Sequence, residues 1–257
     1  MNSELSGDIF FVGDSFCASY DIDLWKSLGC NLWQGPMTKD NTPFRHTHPT
    51  IVSEHLNYRL HPHGYGGKSW WYSRNKFLND FNISSKKPTF DLKCIIFFHT
   101  DCGRFNNSEH ELSADTDRNY LKIFYKKYYD EEFYRWAQLQ WFHELQRDFK
   151  NIKTIHFSCT PFLPGADQLL PGMVFNTPLI QISLGELTGS EKDILLLSSA
   201  KETRANHLNE ENNRILAEII IKSIQSYKPG TYELDLKSFC CPNKNARNWP
   251  ASGFGTL

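Results

Sequence analysis

Ile9-Phe10-Phe11-Val12-Gly13-Asp14-Ser15-Phe16 is the stretch on which the reading of the fold turns. Four consecutive apolar residues stopped by Gly-Asp suit a strand buried on both faces, as in a parallel sheet. The pattern recurs at Cys94-Ile95-Ile96-Phe97-Phe98, stopped by His99-Thr100-Asp101, and at Ile152 to Phe157, stopped by Ser158-Cys159-Thr160-Pro161. Helical patterns lie between these runs. Ile51 to Leu60 reads as a short amphipathic helix, and Asp117 to Phe149 as a longer helical stretch with a break near Tyr129-Asp130. Glu210 to Tyr227 is the clearest helix: Ile215, Leu216, Ile219, Ile220 and Ile224 share one face, Asn209 can cap it, and Glu210 and Glu211 suit its positive end. Strands alternating with helices predict a three-layer α/β domain over residues 1–228. Residues 229–257 read as an irregular tail, packed on the domain or extending from it. Residues 28–50 and 161–175, each with three prolines, read as long loops of the kind that serve as lids or binding segments.

The composition narrows the function. The chain has 257 residues, 40% of them hydrophobic and 22% charged, with a formal net charge of −1. That balance argues against a nucleic-acid backbone or an anionic membrane as the main partner. No apolar run approaches the ~20 residues that span a bilayer. Met1 to Asp8 lacks the basic start and apolar core of a signal peptide, so the expected location is cytoplasmic. The seven cysteines lack metal-ligand spacing and read as reduced thiols. His46 and His48, and His61 and His63, form His-x-His pairs, but no acidic or thiol framework accompanies them in the sequence. They read as ordinary loop histidines, and no metal site is expected.

In an open α/β sheet, ligands bind beyond the C-terminal ends of the strands. Gly13-Asp14-Ser15-Phe16 occupies such an end. Gly13 allows a sharp turn there, and Ser15 within that turn would present its hydroxyl at the open edge of the sheet. Its own backbone N–H can point to the same spot. A serine hydroxyl is a weak nucleophile without a base nearby.

Together with three later segments, this stretch resembles the SGNH hydrolases, the GDSL-type esterases and lipases, over about residues 8–226. Gly13-Asp14-Ser15-Phe16 looks like the family's first block, with Ser15 as nucleophile. His63-Gly64-Tyr65-Gly66-Gly67-Lys68-Ser69 looks like the second, which implies an oxyanion N–H from Gly67, with Gly66 as its neighbouring alternative. The third block, Gly-x-Asn-Asp, falls on His99-Thr100-Asp101-Cys102. Asp101 matches its aspartate, whereas Thr100 replaces the asparagine and offers a hydroxyl donor of shorter reach. His207, just before the last clear helix, matches the histidine of the family's Asp-x-x-His block. Arg204 stands at the aspartate position and cannot accept a hydrogen bond from the imidazole. Either His207 acts in a dyad with Ser15, or a carboxylate from elsewhere serves; Glu202 and Asp193 are near in sequence.

The resemblance implies a flavodoxin-like α/β/α fold with a central parallel sheet. It implies ester hydrolysis with catalytic residues Ser15 and His207, oxyanion donors Ser15, Gly67 and Thr100, and neither metal nor organic cofactor. Asp14, Gly66, His99, Asp101, Arg104 and Trp70 are expected to border the substrate, a small-molecule or carbohydrate ester such as an O-acetyl sugar. Two rival readings stay open: an acyltransferase of the same fold, and a catalytically silent binding protein favoured by Thr100 and Arg204.

Overall fold

Asp8–Gly13 forms strand β1, and all six of its residues are buried. The computed structural model describes residues 5–14, 16–17, 47–64, 69–100, 130–182, 208 and 210–239. Within them β1 pairs in parallel with β2 (Arg59–Gly64) on one side and β3 (Leu92–His99) on the other. Beyond β3 lie β4 (Thr154–Ser158), β5 (Met173–Phe175) and β6 (Gly230–Tyr232), all parallel, in the order β2-β1-β3-β4-β5-β6. The first five strands follow the flavodoxin-like order 2-1-3-4-5.

Among the described residues four helices cover the two faces: α1 (His48–Leu56), α2 (Trp70–Ser84), α3 (Glu131–Phe149) and α4 (Glu210–Gln225). The strands' period of two sorts the core into two halves. Ile9, Phe11, Cys94, Ile96 and Phe98 pack with Val52 of α1 and Leu216, Ala217 and Ile220 of α4. Phe10, Val12, Ile95 and Phe97 pack on the other face with Phe77 of α2 and Trp141, Phe142 and Leu145 of α3. The result is the three-layer α/β/α arrangement expected from the alternating apolar runs.

Local chemistry sets the helix ends. Ser69 Oγ accepts from the Tyr72 N–H at 3.1 Å, and Asp130 Oδ1 accepts from the Phe133 N–H at 3.1 Å. The break expected near Tyr129-Asp130 is therefore the N-cap of α3, reinforced by Glu131 and Glu132 in its first turn.

Other expectations are corrected. The helix expected over 51–60 runs from His48 to Leu56, so His48 is helical rather than a loop residue. The chain then enters β2, which has no apolar run to announce it. Its Pro62 is tolerated because β2 is an edge strand. The expected loop at 161–175 holds a 3-10 turn at Ala166–Leu169 and the strand β5. The segment after Pro229 supplies edge strand β6 and a 3-10 turn at Leu236–Ser238.

The His61 and His63 pair also has the acidic framework that the sequence hides. Both rings stack on Phe10, at 4.3 and 5.8 Å between centroids. Asp80 of α2 accepts from His61 Nδ1 at 3.2 Å and from His63 Nε2 at 3.0 Å. Asp8 accepts from His61 Nε2 at 2.8 Å. The hydrogen bond from His63, with that from His61, holds the Asp80 carboxyl well below the usual carboxylate range. These bonds tie edge strand β2 to β1 and α2. Among the described residues no group of three or more His, Cys, Asp or Glu is placed to hold a metal ion. None of the described helices is long and apolar enough to cross a membrane.

Phe98, Phe157 and Phe175 stack across β3, β4 and β5, with centroids 5.1 and 4.7 Å apart. Phe157 is fully buried between the other two. Phe157→Ala is expected to cost about 3–5 kcal/mol through lost burial and a cavity. Urea unfolding checks this, and a loss under about 1 kcal/mol would contradict the packing.

Candidate active site

All six strands run the same way, so every strand delivers its following segment to one edge of the sheet. β1 ends at Gly13 and β2 at Gly64, paired in register, and β3 ends at His99, opposite Ser158 of β4. Helices α1 and α4 connect parallel strands and therefore start from that same edge. The edge thus gathers the ends of the first three sequence blocks and the chain entering α4.

The turn after β1 is built from short contacts. Gly13 is required by crowding: a Cβ there would lie 2.6 Å from both the Cβ and the carbonyl oxygen of Phe98. The sequence suggests a role in turning, whereas the structure adds close packing of β1 on β3. The hydroxyl of Ser73 in α2 donates to the Gly13 carbonyl at 2.5 Å. Asp14 is 2% exposed, and its Oδ1 accepts from the Phe16 N–H at 2.9 Å. This Asx-type bond closes the turn across position 15. The Asp14 carbonyl accepts from the Cys17 N–H at 3.2 Å, and the Cys159 thiol donates to Asp14 Oδ1 at 3.6 Å. Asp14, expected to border substrate, is thus engaged in holding the turn.

At the end of β3, His99 and Thr100 are buried at 6% and 4% exposure. His99 Nε2 shares a hydrogen bond with His156 Nδ1 at 2.9 Å, and its ring meets Phe142 edge-on at 4.8 Å. Burial pushes His99 down to about 3 and His156 well below the usual histidine value. Gln138 of α3 donates to the Thr100 carbonyl at 2.8 Å, anchoring the backbone that leads out of the sheet. Trp70, expected at a cleft edge, is packed into the core beside α3, and its neighbour Trp71 is the more exposed of the two, with Arg74 stacked over its ring at 4.9 Å.

The opposite face of the same edge holds a polar group that the sequence reading passed over. Asn213 of α4 accepts from the His48 backbone N–H at 3.2 Å and from His48 Nδ1 at 2.8 Å. Its Nδ2 donates to the Leu208 carbonyl at 3.1 Å. The neighbouring Asn212 donates to the Ile182 carbonyl at 2.8 Å. The available signal was two adjacent asparagines inside an otherwise amphipathic helix. Burial pushes His48 down to about 4, against the raising effect of its hydrogen bond to Asn213.

Of the other expected site residues, Ser15, Gly66, Gly67, Asp101, Arg104 and His207 lie outside the described residues, as do Asp193, Glu202 and Arg204. Their chain neighbours Phe16 and Leu208 are described, and both are buried in the core on the α1–α4 face.

Two expectations follow. Gly13→Ala is expected to destabilise by about 1–3 kcal/mol, because β1 must shift away from Phe98; thermal unfolding checks it, and an unchanged Tm would contradict the crowding. His48 and His99 have folded values depressed below the ordinary histidine value, so the unfolded chain takes up protons first as pH falls. Stability is then full above about pH 6.5 and declines through their folded values, near 4 and 3, by on the order of 1 kcal/mol per pH unit per histidine. His48→Gln is expected to flatten part of that decline in urea titrations between pH 7 and 4, and an identical slope would contradict it.

In comparisons with known proteins, no family model matches the chain and no curated protein does. A solved carbohydrate esterase, described as having an active site with divergent catalytic and non-catalytic binding functions, is similar at TM-score 0.40 and 12% identity. The alignment covers 89% of this chain and 67% of that one.

Proposed function

We propose that this protein is a serine hydrolase of the SGNH type that cleaves a carboxylic ester through an acyl-enzyme on Ser15. The observation that carries the reading is the turn after β1. A fully buried strand ends in a glycine with no room for a side chain, and the Asp14 carboxylate closes the next turn around position 15 at the ligand-binding edge of a parallel sheet. Leu208 supports the other half: it is buried at the start of α4, on the same face of the sheet as Phe16.

In this reading His207 takes the proton of the Ser15 hydroxyl as the oxygen attacks the acyl carbon. Backbone N–H groups of Ser15 and Gly67 hold the oxyanion, and Thr100 supplies a third donor in place of the family's asparagine. His207 returns the proton to the leaving alcohol, and water then releases the acid by the same route. Loss of one oxyanion donor costs about 3–4 kcal/mol in hydrolases generally, so a threonine in that place suits a slow enzyme. The substrate proposed is a small-molecule or carbohydrate ester, and the residues require neither metal nor organic cofactor for these steps. An acyltransferase would use the same acyl-enzyme with an alcohol in place of water. A silent binding protein is the second reading, favoured by Arg204 where the family has its aspartate.

Labelling with a fluorophosphonate probe tests the proposal. The wild type is expected to take one label, and Ser15→Ala none, with its Tm unchanged. Turnover of p-nitrophenyl acetate is expected to vanish in Ser15→Ala and to fall about 100-fold or more in His207→Ala. A folded wild type that takes no label supports the binding protein instead.

A further inference from the structure

We infer that Asn213 is a positioning residue for His207, and that His48 fixes its amide in one orientation. The inference rests on the reading of His207 as the base. It adds a part that the family's blocks do not contain, a buried amide joining α1, α4 and the residue that follows His207.

The orientation of that amide is determined by its partners. A backbone N–H only donates and a backbone carbonyl only accepts. The Asn213 atom facing the His48 N–H must therefore be Oδ1, and the atom facing the Leu208 carbonyl must be Nδ2. Turning the amide over would break both bonds. The same reasoning assigns the ring: Nδ1 faces an accepting oxygen at 2.8 Å, so Nδ1 carries the hydrogen. Nε2 is then the bare nitrogen, buried and without a hydrogen-bond partner among the described residues. A fully buried imidazole of this kind stays neutral across neutral pH, so the clamp does not switch under assay conditions.

The clamp acts where the site needs support. Arg204 cannot orient an imidazole by accepting from it, so in this reading the backbone of the residue that follows carries part of the placement of His207. Leu208 is 4% exposed and Asn213 5%. The carbonyl of Leu208 is held by a donor that His48 holds in turn, from a helix 165 positions away from Asn213 in the chain. Hydrogen-bond reach between nucleophile and base tolerates little error, and misplacement by about 1 Å costs on the order of 100-fold in rate.

Asn213→Asp keeps an oxygen for both His48 N–H groups, adds a charge that the His48 ring can balance by taking a proton, and replaces the donor to Leu208 with an acceptor. The expected result is a folded protein whose kcat on p-nitrophenyl acetate drops at least tenfold with KM within about twofold. The His207 ring resonances in 1H–15N NMR are expected to shift, and with them their titration midpoint. The ring spectrum decides: His207 resonances and midpoint that coincide with wild type overturn the inference, whatever happens to turnover. If the wild type itself has no esterase turnover, the hydrolase reading fails alone, and the same spectral comparison still supports or overturns the clamp. Where Asn213→Asp does not fold, His48→Gln, which keeps both backbone bonds of the Asn213 amide and removes only the imidazole bond to it, is read by the same two criteria.

Discussion

The contact between Gly13 and Phe98 is the constraint on which the described structure depends. β1 lies between β2 and β3 with both faces covered, and its last residue approaches the neighbouring backbone more closely than any side chain would allow. This fixes the point where the chain leaves the sheet. Everything proposed for function is attached to that point: the Asp14 turn, the Ser73 hydroxyl that caps the strand from α2, and the edge toward which β2 and β3 also run. A sheet built from long apolar runs is rigid enough to make such an edge a stable platform for residues carried on loops.

Several polar groups inside this core meet one another in sets. Asp8, Asp80, His61 and His63 join the edge strand to its neighbours, His99 pairs with His156, and His48 pairs with Asn213. An unpaired buried polar group costs about 1–3 kcal/mol, and pairing within each set offsets part of that cost, while Nε2 of His48 and of His156 have no partner among the described residues. The sets also specify register, because a slip of one residue in β2 would turn both histidines away from Asp80. The cost of burying neutral imidazoles appears as sensitivity to acid.

The apolar strands were legible in the sequence because burial on both faces writes itself as an unbroken apolar run. β1 and β3 were read that way, and β4 was read from Ile152 to Phe157 although Lys153, Thr154 and His156 interrupt its apolar residues; all three have ends within two residues of the structure. Helix α4 was legible from its single apolar stripe, and the start of α3 from the break expected near Tyr129-Asp130. β2, β5 and β6 were not legible. β2 is a polar edge strand with a proline, and the other two have three residues each, too few to show a period. In the site, the turn at Gly13 and Asp14 could be read from local chemistry, although the reason for the glycine is a contact made with a distant strand. The histidine partners were hidden for the same reason: Asp80 and Asn213 meet His61, His63 and His48 only after the sheet has formed.

The central claim is that the Ser15 hydroxyl and the His207 imidazole meet at this edge. The most direct measurement is the distance between Ser15 Oγ and the nearer His207 ring nitrogen in crystals of the protein. The account predicts hydrogen-bond reach, about 3 Å and no more than about 3.5 Å. A separation beyond about 6 Å, with the ring turned from the serine, would contradict it.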